Sequence, residues 1–547
     1  MAEVQDVYEK SLTEATSVAP GDKVRVVMSD ETSQNADLSV VAKAILETYS
    51  GTSLAGNTQS VKQAVDGLKT SVDSWNAANR TLVFGAKWDR TTNQLTRTNA
   101  AAEITTDTTN FGHFGSLNAN YNNPFDDIYP WSEMQVVNVD LAKYQSGSYE
   151  LRDCISAVYG DADFTYEGSA SLFVGRYRPE FWYRSSEDSN GNVTFLISQC
   201  ERTGYEHAEE AIDGISFCID DGSGSKVTCG AGVPLTNVAV STIHARAKAS
   251  GFTLQDIKSM DAQIMLYLVE YANMNTQNTI GQGCASQYRE GSDVINSVTT
   301  GDDTTTLEVL NTTEAFVACL KVGADIHIGA SNGAATYKGI LTEFALNASE
   351  TGYILTLDRA LASVTSGMYV SFHGFATCEF PYIGESLGNA TGYLGVNGKA
   401  NVFYRGALLY ANRYSYVLGI YRQTGTNHLW TCPDGVDPND YDALNTSVHE
   451  DTGIALPDLS AGAWQTVGAN AQRIPGIAGF MATAESSGSS SSPVGDQQYV
   501  PVASAGDTIL LFGGFANFGW SCGAFCGCWD LSAGASGWVS AGCPLLK

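Results

Sequence analysis

The C-terminal segment of this chain, residues 509–546, is rich in glycine, small residues and aromatic rings, and it has no regular apolar period. Tryptophan occurs at positions 520, 529 and 538, and Asp530 is the single charged residue between Phe512 and Pro544. A helix needs apolar residues at steps of three and four, and a half-buried strand needs alternation, so the segment suits neither. Rigid aromatic anchors among small residues are typical of adaptable binding surfaces, and a buried Gly/Trp core has the same composition. The segment therefore predicts an irregular fold and a candidate binding site.

From Phe84 onward the chain consists mainly of short aromatic-rich segments separated by Gly, Asn, Asp and Ser turns, which predicts strands. One helix interrupts this pattern, because Thr253 and Asp256 form a capping-box signal and apolar residues then recur at helical spacing as far as Ala272. Residues 297–372 contain five closely spaced runs, TTTLEVL, EAFVACLKV, DIHIGA, GYILTLD and MYVSF, which predict a small inserted β-domain. The predicted fold class is α+β and β-rich.

Residues 1–83 have a different texture, with helical spacing over 36–49 and a second periodic run after a Gly/Ser break. The second run has apolar residues at heptad positions over two repeats: Val61, Val65, Leu68, Val72 and Trp75. Two interpretations stay open, an amphipathic helix packed on a neighbouring domain and a short coiled-coil stalk that joins copies of the chain. Both predict an N-terminal helical assembly segment.

Composition and charge exclude several classes of protein. The 26 Tyr, 21 Phe and 9 Trp in 547 residues exclude a disordered or collagenous chain. The formal net charge of −29 repels phosphate, so neither nucleic acid nor an anionic membrane surface is an expected partner. No apolar stretch reaches the ~20 residues needed to span a bilayer, and the first twenty residues carry no secretory signal, so we expect synthesis in a cytoplasm and no membrane insertion.

Catalytic and metal-binding signatures are sparse in the sequence. HExxH and phosphate-loop motifs do not occur, and no two of the seven histidines stand four residues apart. GxSxG occurs only as short matches in Gly-containing turns, at 329–333, 384–388 and 519–523. His207 with Glu209 and Glu210 is interpreted as a solvated face. Cys522, Cys526 and Cys528, with Cys543 further on, offer four thiolates, but their spacing departs from zinc knuckles, so free buried thiols are preferred. We therefore predict no catalytic residue, no metal site and no cofactor.

The tail resembles the C-terminal variable region of C-type-lectin-fold proteins that retroelements diversify in phages and prophages. Those tails read V-G-G, a variable aromatic/Asn stretch, then A-G-x-F, and here LFGG (511–514), FANFGWS (515–521) and CGAF (522–525) follow that order. The usual closing G-A-R-L is replaced by A-G-C-P-L (541–545).

Upstream segments resemble the same phage tail proteins in the same order. They are KWDRTTNQLTRTNAAAE (87–103), NNPFDDIYPWSEM (122–134), RPEFWYR (178–184), the segment 244–283, and the set Tyr404-Arg405-Gly406, Asn412, Val417 and Gly419-Ile420. The resemblance implies a lectin-like module whose first part is 84–296 and whose second part is 373–547. It places the insert at 297–372 and a variable binding region at 512–543.

The resemblance implies a receptor-binding protein of a phage tail, with a fold shared with formylglycine-generating enzymes but used for binding. The implied receptor-contact positions are Phe515, Asn517, Phe518, Trp520, Ser521, Cys526, Cys528 and Asp530. The implied scaffold positions are Gly513, Gly514, Gly519, Gly523 and Phe525, whereas Trp529 and Trp538 fit either role. An exposed cluster of Phe515, Phe518 and Trp520 suits a binding face, since a monomer rarely exposes such a patch otherwise.

The resemblance also implies partners and a location. The expected partners are a bacterial surface receptor, either glycan or protein, and other tail proteins bound through the N-terminus. A homo-oligomer is expected, with a trimer favoured, and the expected location is the virion tail. Two alternatives stay open: a structural baseplate or decoration protein whose tail packs on a neighbour, and an enzyme on the same fold, either a formylglycine-generating oxidase or a glycan hydrolase.

Overall fold

The computed structural model describes most of the chain after residue 81. The described residues are 82–105, 123–280 except 233, 304–375 except 311, 319, 321, 323 and 332–335, and then 402–410, 413–484, 494–514, 521–537 and 540–547. Contacts divide the chain into units 1–81 and 82–547, and the description concerns the second. The heptad positions of the predicted coiled coil therefore lie outside the described residues.

The described part is β-rich with fewer helical residues, which confirms the broad fold class. The strands in chain order are β1 (Val83–Asp89), β2 (Gln94–Asn99), β3 (Gln135–Asp140), β4 (Ile155–Val158), β5 (Leu172–Arg178), β6 (Phe181–Glu187), β7 (Val193–Ser198), β8 (Glu206–Ala208), β9 (Ala211–Gly214), β10 (Ile219–Asp220), β11 (Val227–Thr228), β12 (Thr253–Leu254), β13 (Thr304–Leu310), β14 (Ala324–Gly329), β15 (Tyr337–Leu346), β16 (Gly352–Leu361), β17 (Tyr369–Phe375), β18 (Val402–Tyr404), β19 (Ala407–Tyr410), β20 (Tyr414–Arg422), β21 (His428–Thr431), β22 (Glu450–Ala455), β23 (Ala463–Thr466), β24 (Gln472–Ile474), β25 (Ile477–Ala482), β26 (Gln497–Val500), β27 (Thr508–Phe512), β28 (Gly527–Cys528), β29 (Ser540–Gly542) and β30 (Pro544–Leu546). The helices are α1 (Leu141–Gln145), α2 (Val240–Ser250), α3 (Ile257–Tyr271), α4 (Thr276–Thr279) and α5 (Glu314–Ala318), with 3-10 turns at Pro124–Asp127, Trp131–Glu133, Leu151–Cys154 and Pro438–Asp440.

Three sheets build the main body. A five-stranded antiparallel sheet has the order β2-β1-β7-β6-β8, and a six-stranded sheet has the order β12-β30-β9-β5-β3-β4. An eight-stranded sheet has the order β22-β21-β20-β27-β28-β26-β23, with β29 pairing in parallel with β20. Strand β30 lies between β12 and β9, so the last strand of the chain is interior to its sheet.

The central strands β20 and β27 of the eight-stranded sheet are buried on both faces. Along β27, Leu510 and Phe512 enter the core that contains α3, whereas Ile509 and Leu511 enter a second core that contains α2. Side chains of a strand alternate between faces, so an unbroken apolar strand such as this one needs cover on both sides. The residues of the tail that follow β27 therefore start from a fully buried strand.

Helix α3 is the centre of the first core. All of its residues except Lys258 are buried, and its buried polar side chains Asp261, Gln263 and Glu270 have hydrogen-bond partners within the protein. Its N-cap is Asp256, whose side chain accepts the Ser259 N–H at 2.8 Å. The prediction that Thr253 opens this helix is wrong, because Thr253 pairs with Leu545 in the six-stranded sheet.

A buried ion pair fixes the six-stranded sheet to α3. The carboxylate of Asp213 in β9 pairs with Arg176 and, at 3.2 Å, with Arg178, both from β5. It also accepts the Ser259 hydroxyl of α3 at 2.7 Å. Burial alone would raise the pKa of Asp213, but the two guanidinium groups hold it below its ordinary value, so the carboxylate stays ionised.

Strands β13–β17 form a separate five-stranded antiparallel sheet with the order β13-β16-β15-β14-β17. Its core consists of its own residues, including Leu307, Ile326 and Leu355, and α5 adds Phe316. The run EAFVACLKV was predicted as a strand, but Glu314–Ala318 is helical, and the Thr313 hydroxyl accepts the Phe316 N–H at 3.1 Å as an N-cap does.

Within the described residues, no helix combines the length and apolar character that crossing a bilayer requires.

Candidate functional site

Directly after β27, the backbone of Gly513 pairs with a later part of the C-terminal tail, residues 523–526. The Gly513 N–H donates to the Cys526 carbonyl at 3.0 Å, and the Gly523 N–H donates to the Gly513 carbonyl at 3.2 Å. Gly513 and Gly514 both have φ +93°, and a Cβ on Gly514 would lie 2.3 Å from the Cys522 sulfur. Glycine is therefore required at both positions, because a side chain would be strained at either one and would collide with Tyr410 from position 513 and with Cys522 from position 514.

Phe525 and Cys526 of the tail contact the buried carboxyl group of Asp496 through their backbone N–H groups. Its Oδ2 accepts the Phe525 N–H at 2.7 Å, and the backbone of Cys526 also donates to this carboxyl. A Cβ on Gly523, whose φ is +148°, would lie 2.3 Å from the same oxygen. Burial raises the pKa of Asp496 well above its ordinary value, although both backbone donors oppose that shift.

Helix α4 also forms hydrogen bonds with this part of the tail, at Cys522 and Ala524. The Ala524 N–H donates to the Thr276 hydroxyl at 3.2 Å, and the Gln277 side-chain amide donates to the Cys522 carbonyl. The segment 244–283 and the motif CGAF were separate matches in the sequence, and the structure brings them into contact here.

Gln498 of β26 is a further residue that forms a hydrogen bond with this part of the tail. Its fully buried amide donates to the Phe525 carbonyl at 3.1 Å and to the Met481 carbonyl at 2.8 Å, and it accepts the Thr483 N–H at 2.9 Å. We call Thr276, Gln277, Asp496 and Gln498 the tail anchor. All four side chains belong to segments outside the tail.

Sequence reasoning missed the tail anchor. Thr276 and Gln277 lie in a segment that carried part of the resemblance, which was a usable signal. Asp496 carried no such signal, because it directly follows the Ser-rich run 486–495, whose composition is typical of a surface loop. Gln498 is a polar residue in a short strand, and only the tertiary structure shows that it is buried.

Four of the predicted receptor-contact positions lie outside the described residues: Phe515, Asn517, Phe518 and Trp520. In the sequence they follow Gly514 and precede Ser521. Gly519 and Trp538 also lie outside the described residues.

Three further predicted contact positions are buried, and the expectation of their exposure is wrong. Ser521 is 5% exposed, Cys526 0% and Cys528 5%. The Ser521 hydroxyl donates to the Gln497 amide oxygen at 2.9 Å. Cys526 packs in the second core, and Cys528 lies in β28 between β26 and β27. Both residues of β28 are buried in the interior of the eight-stranded sheet, although their composition is typical of a loop.

Asp530 is the one predicted contact position that the structure describes as exposed. The Cys528 thiol donates to its Oδ1 at 2.9 Å. Trp529, which fitted either role, is fully buried and belongs with Phe525 to the scaffold.

The cysteines are free thiols wherever the structure describes them. Burial raises the pKa of Cys526 and of Cys528 well above the ordinary value, so both thiols stay protonated. Cys543 lies in a different core, with Phe217 and Val174. Among the described residues, no group of three or more His, Cys, Asp or Glu side chains is arranged to hold a metal ion.

Three of the resembling segments converge on Glu270 of α3. Arg405 forms a bidentate ion pair with Glu270. Its Nε donates to Oε2 at 2.8 Å, and one terminal nitrogen donates to Oε1 at 2.7 Å. The Tyr404 hydroxyl donates to Oε2 at 2.6 Å, and the Asn123 amide donates to Oε1 at 2.6 Å. Arg405 also reaches Asp126 at 2.9 Å. The cluster is saturated with internal partners and buried, so its role is to join segments rather than to react.

His207 does not pair with Glu209 or Glu210. Its Nε2 lies 3.1 Å from Glu180 Oε2, and its ring stacks on Trp182 with a centroid distance of 4.8 Å. This is a surface pair on the edge strand β8.

No model of a known protein family matches the chain, and no curated protein matches it. Function is therefore inferred from the geometry of the tail and from the resemblance of its motifs.

Proposed function

We propose that this protein is a phage tail-fibre or tail-tip adhesin that binds a bacterial surface receptor through its C-terminal tail. In this proposal, the tail belongs to a C-type-lectin-like module that a retroelement diversifies, and the chain binds without catalysing a reaction. The receptor contacts are Phe515, Asn517, Phe518, Trp520 and Asp530. Ser521, Cys526 and Cys528 move from the contact set to the scaffold because they are buried.

One observation carries the proposal. The parts of the tail that flank residues 515–520, at Gly513 and at Gly523–Cys526, are paired by backbone hydrogen bonds and are held by the tail anchor. The tail anchor belongs to segments outside the tail. A diversified contact segment requires a scaffold that is supported in this way from elsewhere in the protein.

The first test replaces Phe515, Phe518 and Trp520 together by Ala. Binding of the full chain to a panel of bacterial strains is compared with binding of the triple variant. The matched control is the double variant Leu346→Ala and Ile354→Ala, since both are exposed apolar residues of the insert. We expect the triple variant to lose binding by at least about tenfold, since hot-spot aromatics commonly contribute 2 kcal/mol or more each. Unchanged binding by a folded triple variant overturns the site assignment.

The burial of Ser521, Cys526 and Cys528 favours one alternative, a structural baseplate or decoration protein whose tail is packed structure. Sequencing the 3′ end of the gene across its source population separates the two functions. Substitutions concentrated in 515–520, with Gly513, Gly514 and Gly523 unchanged, support the adhesin. Rare and evenly spread variation favours the structural protein.

A further inference from the structure

A lysine and an asparagine meet on the same buried carboxylate at the start of α3. The carboxylate belongs to Asp256, which is fully buried. Its Oδ2 pairs with the Lys547 Nζ, and the same oxygen accepts the Asn439 side-chain amide at 3.4 Å. Because both nitrogens contact one oxygen atom, a primary amine and a side-chain amide are neighbours. We call Asp256, Asn439 and Lys547 the Lys–Asp–Asn triad.

The members of the triad come from distant parts of the chain, and the fold brings them together. Asp256 is the N-cap of α3, and its second oxygen, Oδ1, accepts a backbone N–H of that helix at 2.8 Å. Asn439 lies in a 3-10 turn and is 5% exposed. Lys547 directly follows β30, and its carbonyl accepts the Tyr144 hydroxyl at 2.6 Å. Groups held together in this way react without the cost of a bimolecular encounter.

The side-chain amide of Asn439 has hydrogen-bond partners at both ends. Its Oδ1 accepts the Thr253 hydroxyl at 2.5 Å, and its Nδ2 donates to Asp437 Oδ1 at 2.8 Å as well as to Asp256. A donor on the oxygen stabilises the negative charge that develops there when a nucleophile adds to the carbon. The Asp256 carboxyl group beside Nδ2 is placed to transfer a proton to the leaving nitrogen. The Asn439 Cγ is therefore an activated electrophile.

Lys547 supplies the nucleophile. Its side chain is 24% exposed, and its charge is balanced by Asp256. Burial lowers the pKa of Lys547, but the Asp256 carboxylate raises it more, so the resting pair is ionised. Transfer of one proton along this contact frees the electron pair of the amine, and burial makes the neutral pair less costly than it is in water.

We propose that Lys547 and Asn439 form an intramolecular isopeptide bond, a covalent crosslink between Nζ and Cγ that forms once in each molecule. The crosslink goes beyond the proposed function and does not depend on it.

The reaction balances without an oxidant or a cofactor. Lys547 gives one proton to Asp256 Oδ2, and the freed electron pair of Nζ forms a bond to the Asn439 Cγ. The Asp256 carboxyl then gives that proton to Nδ2 and accepts a second proton from Nζ. The Cγ–Nδ2 bond breaks, the carbonyl forms again, and ammonia leaves with the proton that Asp256 holds. Asp256 ends as it began, so it is the catalytic residue of this step.

The crosslink closes residues 439–547 into a covalent ring that contains the whole tail. Ring closure restricts the unfolded chain, as a disulfide does, and it ties the residue after β30 to the turn beside α3. The segment 515–520 lies inside this ring, so the tail stays joined to the body even when the surrounding strands open.

The test measures the mass of the full chain, purified under reducing conditions and denatured before electrospray mass spectrometry. We expect the wild type to be lighter than its sequence by one ammonia, about 17 Da. Tandem mass spectra of a proteolytic digest should show a branched peptide in which side chains 439 and 547 are joined.

Two variants and one matched control isolate the triad. Lys547→Arg keeps the positive charge but has no amine to release, so it should have the full mass of its sequence. Asp256→Asn should stay largely uncrosslinked, since a positioned proton-transfer group commonly contributes about a hundredfold or more in rate. The control is Lys248→Arg, because Lys248 donates to the backbone carbonyl of Asn439 and not to its side chain. This control should lose ammonia as the wild type does.

A folded wild type that keeps the full mass of its sequence, after long incubation at neutral and mildly alkaline pH, overturns the inference. A loss of ammonia that persists in Lys547→Arg also overturns it, because an asparagine has then cyclised on its own backbone. A loss of one water, about 18 Da, with a bond between side chains 256 and 547 overturns the role given to Asn439. The wild-type mass decides the result if a variant does not fold.

Discussion

At the scale of single residues, the tail depends on a close approach between Gly523 and the Asp496 carboxylate. An alanine at 523 would place its Cβ 2.3 Å from Oδ2 and would adopt a φ of +148°. We expect Gly523→Ala to lower the free energy of unfolding by about 2–4 kcal/mol, since backbone strain and overpacking add. Urea unfolding followed by tryptophan fluorescence measures the change.

Gly534→Ala is the matched control, because nothing lies within 4 Å of a Cβ at 534. Its effect should stay within about 0.5 kcal/mol, as for ordinary surface substitutions. Equal stability of the two variants contradicts the anchoring role given to Asp496.

Asp261 gives a second prediction at this scale, on pH dependence. Its carboxylate accepts the N–H groups of Ala478, Gly479 and Phe480 at 2.7, 2.7 and 2.8 Å, and burial raises its pKa to about 6. A raised pKa means that the folded state holds the proton more tightly. The titration of Asp261 therefore adds to the free energy of unfolding at low pH, and this stabilisation is lost as the pH rises through about 6.

Asp261→Asn removes this titration and one acceptor oxygen. The variant should be less stable than the wild type by about 1–3 kcal/mol or more near pH 4, because buried N–H groups lose their acceptor. The difference should narrow between pH 4 and pH 7. Urea unfolding across that range measures it, with Asp434→Asn as an exposed control, and a difference that widens with pH contradicts the assignment.

Residue types alone were sufficient to predict the glycine scaffold but not the burial of its neighbours. Gly513, Gly514 and Gly523 have positive φ values, which only glycine adopts readily, so their role is visible in the sequence. Cys526 and Cys528 occur in the same composition as exposed loops. Their burial depends on the strands on either side of β28, which local sequence does not report.

At the scale of elements, the Glu270–Arg405 pair joins α3 to the β18–β19 hairpin and to the turn at Pro124–Asp127. Replacing Arg405 by Met leaves the buried Glu270 carboxylate without its main cation. We expect a loss of about 3–5 kcal/mol of stability, the usual cost of breaking a buried pair from one side. Thermal and urea unfolding both report this loss.

Arg359→Met is the control for this prediction. Arg359 is about half exposed and pairs with its neighbour Asp358. Surface pairs of this kind contribute little, so the control should change stability by less than about 1 kcal/mol. A small effect of Arg405→Met would mean that Glu270 takes up a proton at little cost.

The type of an element was predicted correctly where the apolar periodicity was long, and incorrectly where the apolar run was short. The fifteen-residue helix α3 carries several apolar repeats, and it was predicted near its observed ends. The run EAFVACLKV is apolar and short, and it is compatible with a strand or a helix. The Thr313 cap decided the outcome at Glu314–Ala318.

At the scale of the whole molecule, we expect the proposed adhesin to be a homotrimer joined through its N-terminal heptads. Val65→Asp with Leu68→Asp places two carboxylates in the apolar seam, where like charges repel and cannot be solvated. Sedimentation of the full chain should show a fall from trimer to monomer. Asp66→Asn, outside the seam, should leave the mass unchanged. A wild-type chain that sediments as a monomer contradicts the stalk.

The β-rich class follows from composition and turn spacing, but the topology does not. Leu545 and Leu546 pair with Asp213 and Ile212, partners that are more than three hundred residues away in the chain. Local patterns carry no information on pairing at that distance. The interior position of β30 was therefore outside the reach of sequence reasoning.

The glycines at the base of the tail have a consequence for the gene. Glycine codons begin with two guanines, and phenylalanine codons begin with two thymines. In the retroelement-diversified proteins that the tail resembles, mutation acts on the adenines of a template, so a template that carries glycine codons at 513, 514 and 523 and a phenylalanine codon at 525 offers no target in the first two bases of these codons. Under the proposed function, the residues that steric contact makes indispensable are also the ones that the mutational process passes over, so few variants are lost to misfolding.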